Sequence, residues 1–100
     1  MTSARWLFDV PPDTAVVTTS YVTQKKLPIL YVSHNFDDAE GTVWQFHCGN
    51  GDYDPSVLQL VRLEEIVELD EGILELAKLP TGFNATRAKL GDAWEVKRDE

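Results

Sequence analysis

Tyr31, His34, His47 and Cys48 are the residues whose types suit proton transfer, nucleophilic attack or soft-metal ligation, and they fall close together in the sequence. Histidine titrates near neutral pH, so His47 with Tyr31, or with a carboxylate of segment 35–41, is a candidate acid–base pair for a small enzyme. Cys48 is a nucleophile only if its thiolate is exposed beside a histidine; otherwise a free cysteine is a small buried hydrophobe. A shared zinc site is not expected. Such sites favour four nitrogen or sulfur ligands, and His34, His47 and Cys48 exhaust the chain's supply.

Carboxylates offer the second candidate chemistry: Asp37, Asp38 and Glu40 cluster in one segment, and Asp52 and Asp54 in another. A calcium loop needs oxygen ligands at alternate positions, then glycine at the sixth and glutamate at the twelfth. Counted from Asn35, the fifth position is Ala39 and the sixth Glu40; counted from Asn50, the sixth is Pro55 and the twelfth Val61. Neither stretch fits, so no metal and no other cofactor is predicted.

The net charge of -8 is regional. Residues 35–80 hold eleven acids against Arg62 and Lys78, whereas residues 81–100 balance four bases with four acids. Nucleic-acid affinity rests on Lys and Arg contacts to phosphates, and without a basic cluster direct phosphate binding is not expected. A basic protein partner suits the acidic region, with Asp37, Asp38, Glu40, Asp52 and Asp54 as binding residues and the acids of 64–75 beside them. The plainer consequence of the same charge is a small protein kept soluble and monomeric.

The segments around these residues must position them. Residues 28–34 and 42–48 alternate apolar and polar types and predict a β-hairpin. Setting Val32 opposite Phe46 places Leu30 with Cys48 and His34 with Trp44 on a core face, and Tyr31 with His47 and Ser33 with Gln45 on the outer face. Ala15–Thr19 is β-branched and predicts a strand, followed by a turn or two of helix that Pro28 ends. Residues 57–61 read as a further strand, and Leu63, Ile66 and Val67 form the apolar stripe of a helix over 63–69. Asp70 caps the next turn, residues 81–88 form a fifth strand, 93–96 a last short strand or packed tail, and 97–100 fray.

The predicted fold is α+β: one domain over 1–100, with a mainly antiparallel sheet of four to five strands built on the central hairpin and short helices on one face. Residues 1–13 form an N-terminal hook or arm. Its Trp6 and Phe8, with Tyr31, lie outside the assigned core, and the hook folding over the outer hairpin face of a monomer is favoured over a symmetric dimer. No run approaches the roughly 20 apolar residues of a membrane span. With no secretory signal and a single cysteine, a cytoplasmic location is expected.

Leu27-Pro-Ile-Leu-Tyr-Val-Ser-His34, Trp44-Gln-Phe46, Leu63-Glu-Glu-Ile-Val-Glu-Leu-Asp70 and Leu79-Pro-Thr-Gly-Phe-Asn-Ala-Thr-Arg87, with the late Trp94, resemble a group of small uncharacterised bacterial proteins over most of the chain. That group is similar to domains regarded as immunity proteins of bacterial toxin systems, which bind and silence a toxin without doing chemistry. Phe83 departs from the resemblance, which calls for tryptophan there. The resemblance implies a binding domain and transfers no catalytic residue. The expected function is a small acidic protein-binding domain without catalytic activity, an immunity-type or regulatory binder of a basic protein. The alternative is a small enzyme using His47 and Tyr31 as acid and base in a pocket on the outer hairpin face.

Overall fold

The computed structural model describes residues 8–37, 41–52 and 54–98, with Asp37 represented by its backbone. Its strands are β1 (Ala15–Thr19), β2 (Tyr31–Asp37), β3 (Gly41–His47), β4 (Leu58–Arg62), β5 (Phe83–Thr86) and β6 (Glu95–Arg98). They form one sheet in the order β4-β1-β3-β2-β5-β6. Two helices, α1 (Ser20–Thr23) and α2 (Leu63–Leu69), and a 3-10 helix over Glu71–Leu76 contribute their apolar residues to one core, giving an α+β domain. Among the described residues no helix is long and apolar enough to cross a membrane.

The hairpin has the register that its alternation requires, with Val32 opposite Phe46, His34 opposite Trp44 and Tyr31 opposite His47. Val16, Val32, Phe46 and Ala85 are fully buried on one face, where Leu63, Ile66 and Ile73 cover them. The sheet departs from expectation in two ways. It has six strands, and it is mixed rather than mainly antiparallel, because β1 runs parallel to β3 with Val17 beside Gln45. The composition of β1 specifies an extended, half-buried strand and not its neighbour. α1 and the turn after it, where Lys26 takes φ 58 and the Leu27 N–H donates to the Tyr21 carbonyl at 3.0 Å, carry the chain back to β2 and leave β1 against the far edge of the hairpin.

The extra strand lies at the C-terminus. The strand expected over 93–96 begins at Glu95 and continues through Lys97 and Arg98, where the sequence predicts a fraying end: Phe83 pairs with Arg98 and Thr86 with Glu95. All four β6 residues are exposed, so no burial pattern marks this strand; its backbone ladder to β5 holds it. Residues 99–100 lie outside the described residues.

The described end of the N-terminal segment also departs from expectation. Phe8 is buried edge-on against Trp44, ring centroids 5.1 Å apart, on the core face and not over the outer hairpin face. The cause is a backbone fastening. The carbonyls of Thr14 and Pro12 accept from the Leu63 and Glu64 N–H groups at 2.8 and 2.9 Å, supplying the first turn of α2 with acceptors and tying the segment to the helix layer. Glu65 completes this cap by accepting from the Arg62 N–H at 2.9 Å. Trp6, the other aromatic of the expected hook, lies outside the described residues.

A buried knot joins the helices to the C-terminal strands. Arg87 pairs with Asp70, donates from Nε to the Ile29 carbonyl at 3.0 Å, and lies 4.2 Å from the Trp94 ring centroid. The Trp94 indole in turn donates to the Gly72 carbonyl at 3.3 Å. Gly72 sits so close that an added Cβ would come within 3.0 Å of Asp70 Oδ1 and 3.3 Å of Arg87 Nη1.

Candidate functional site

The hairpin brings Tyr31 and His47 together on the outer face as opposite residues, ring centroids 6.1 Å apart. Their surroundings differ. Tyr31 lines a cavity of about 270 Å3 with Leu30, Gly49, Gly51, Thr86 and Arg87. His47 is only 2% exposed, is not among those lining residues, and has Nε2 3.0 Å from Gln45 Oε1. Burial pushes the His47 pKa below the ordinary histidine value, so the folded chain favours the neutral ring.

That depression has a sign. As pH falls below about 6.5 the unfolded ring takes up a proton that the folded ring resists, so the native state loses stability across that range and keeps it above. His47→Gln is expected to lack this component. Urea denaturation at pH 7.5 and pH 5.5 checks it: the wild type should lose more stability than the variant, and equal losses would show that His47 makes no such contribution.

His34 and Cys48 do not share a site with His47. His34 is stacked on Trp44, ring centroids 4.0 Å apart, and its Nδ1 is 2.8 Å from the Leu79 carbonyl oxygen. A carbonyl only accepts, so Nδ1 carries a proton there. A cavity of about 460 Å3 beside it is lined by Asp9, Thr42, Trp44, Lys78 and Thr81 among others. Cys48 is buried with the core. Among the described residues no group of three His, Cys, Asp or Glu side chains is arranged to hold a metal ion.

The acids after β3 are ordered by their own backbone. Asn50 Oδ1 accepts from the Asp52 N–H at 3.0 Å, Asp52 Oδ1 from the Asp54 N–H at 3.1 Å, and Asp54 Oδ1 from the Ser56 N–H at 2.9 Å. Short polar side chains bonding two residues ahead form a run of Asx turns. The Tyr21 hydroxyl, from α1, donates to Asp52 Oδ2 at 2.7 Å. This hydrogen bond, with the negative charge behind it, holds the Tyr21 hydroxyl above the usual tyrosine range. The Ser56 N–H and hydroxyl hold Asp54 below the usual carboxylate range. Neither Asp52 nor Asp54 has an ion-pair partner among the described residues.

Of the other expected binding residues, Asp37 pairs its backbone with Gly41, and Asp38 and Glu40 lie outside the described residues. Of the acids expected beside them over 64–75, Glu64 and Glu65 follow β4 as Asp52 and Asp54 precede it, so that one strand is flanked by acids at both ends. Tyr21 was not foreseen as the anchor of Asp52. Nothing in Ser20-Tyr-Val-Thr23 marks a residue that meets another 31 positions on. Comparison with protein-family models, with curated proteins and with solved structures finds no match for this chain.

Proposed function

We propose that the chain is a small acidic protein-binding domain, an immunity-type or regulatory binder of a basic protein in the cytoplasm, with Asp52 and Asp54 at the centre of its binding surface. The supporting observation is that these two carboxylates are held in place by Asx turns and the Tyr21 hydroxyl while lacking a cation of their own among the described residues. Charges already ordered lose little side-chain freedom when a cation arrives, and a fixed negative field speeds the encounter with a basic surface. Asp37, Asp38 and Glu40 join this surface on the charge of the sequence alone. The burial of His47 supports binding over acid–base catalysis at that residue.

Replacing Asp52 and Asp54 together by asparagine keeps the turn acceptors and removes two charges. Association with the basic protein that co-purifies from the native cell should slow roughly tenfold at low ionic strength and lose most of its salt dependence. The melting temperature should barely change. Stopped-flow mixing at two salt concentrations measures this, and an unaltered on-rate would remove these residues from the surface. The immunity version carries a further requirement: co-expression must protect cells from a toxin encoded beside the gene.

A further inference from the structure

We propose that the open edge of β4 receives the partner as an added antiparallel strand, one with alternating apolar residues at its centre and Lys or Arg at both flanks; this deepens the binding reading above and rests on it. Among the described residues β4 is an outermost strand of the sheet. The bonds Ser20 N–H to Val57 O and Leu63 N–H to Thr14 O, both 2.8 Å, establish the direction in which each residue faces. Val57, Gln59, Val61 and Leu63 turn their backbone groups toward β1, so Leu58 and Leu60 turn theirs to the open side. Arg62 faces the same way, but Glu65 already occupies its N–H. Among the described residues an incoming strand therefore meets four groups without a partner, the N–H and C=O of Leu58 and of Leu60. Both side chains are exposed, Leu60 at 73%, and with Val17 and Gln59 they line a shallow groove of about 240 Å3.

Charge selects the occupant. Asp52 and Asp54 precede the strand and Glu64 and Glu65 follow it, while Arg62 lies against those two glutamates at 3.5 and 3.4 Å. A second copy of the chain that used all four groups would pair about Gln59 and bring the turn carrying Asp52 and Asp54 in each copy toward the first turn of α2, with Glu64 and Glu65, in the other. Like charges juxtaposed across an interface are costly. A strand with basic flanks meets the same ladder and neutralises both ends. Main-chain bonds then supply affinity, and the side chains beside Leu58 and Leu60 supply selectivity.

The probe is a fluorescein-labelled peptide, Lys-Lys-Ser-Thr-Val-Thr-Val-Thr-Ser-Lys-Lys, titrated into the isotope-labelled full chain. Hydrogen exchange should slow at least about tenfold at the Leu58 and Leu60 amides and change little at Gln59 and Val61, which already bond β1. Leu60→Pro removes an outward N–H and no bond to β1, a substitution that edge strands accept. Leu60→Lys keeps the N–H and places a cation in the groove, so it serves if the proline variant fails to fold. Each should weaken the peptide at least roughly tenfold, and a peptide with Glu for every Lys should not bind. Binding that depends on Asp52 and Asp54 without protection at Leu58 and Leu60 overturns the edge and leaves the binding reading standing. Failure of the peptide to bind while the native partner still does likewise overturns the edge alone, and failure of both overturns the two together. Sedimentation showing wild-type dimers that Leu60→Lys dissociates would give the edge to a second copy and overturn the proposed occupant.

Discussion

Arg87→Ala is expected to cost about 3–5 kcal/mol of folding stability, the range for breaking a buried ion pair from one side. The Arg87 side chain is 3% exposed and that of Asp70 14%. Removing the guanidinium strands the Asp70 carboxylate, takes a donor from the Ile29 carbonyl and deletes the cation over Trp94. Against a total of about 5–15 kcal/mol for a domain, this leaves a large share of molecules near unfolding. Arg87→Lys should recover little, because an ammonium cannot serve Asp70 and Ile29 with one planar fork. Asp70→Asn with Arg87→Met should recover part of the loss, since the amide oxygen still accepts from the Gly72 N–H and no charge is stranded. Urea denaturation of the three variants measures the series, and a loss below about 1 kcal/mol in Arg87→Ala would show that the pair does not hold the helices to the C-terminal strands.

Trp44→Ala is expected to lose a similar amount, about 3–5 kcal/mol, by removing a large aromatic from a packed interior. Trp44 is 4% exposed and makes three ring contacts: Phe8 edge-on at 5.1 Å, His34 stacked at 4.0 Å and Phe46 stacked at 6.0 Å between centroids. Phe8 should therefore lose its seat, and the Asp9–Asp13 turn should become the first site of proteolytic cleavage. Trp44→Phe keeps an aromatic surface and should lose less. Limited proteolysis beside urea titration separates the effects: a destabilised variant that still resists cleavage at residues 9–13 would show that the bonds to Leu63 and Glu64, and not the Phe8 contact, hold the N-terminal segment.

Local periodicity carried much of the fold. The β2–β3 register followed from which side chains must share a face, because a one-residue slip would have turned Val32 and Phe46 to water. The α2 stripe of Leu63, Ile66 and Val67 was readable for the same reason. β6 was legible only in part, as a short strand or packed tail over 93–96, since Glu95–Arg98 has no buried side to generate a pattern. The parallel pairing of β1 with β3 was hidden, because β-branched residues suit parallel and antiparallel neighbours alike.

The candidate site divides along the same line. Charge is a property of composition, so the acidic character of residues 35–80 was visible at once. Which acids are ordered was not. Asp52 depends on Tyr21 and Asp70 on Arg87, pairs separated by 31 and 17 positions, and no local rule links residues that far apart. The openness of the β4 edge was hidden for a related reason. Leu58-Gln-Leu-Val-Arg62 alternates as any half-buried strand does, and only the order of strands decides which side of it remains unbonded. Residue type and spacing thus account for the strands with an apolar face, the stripe of α2, the hairpin register and the sign of the surface. The partner of β1, the pairing of β6 with β5 through Arg98, the burial of His47 and the edge position of β4 come only from the packed chain, because each depends on segments brought together from distant parts of it.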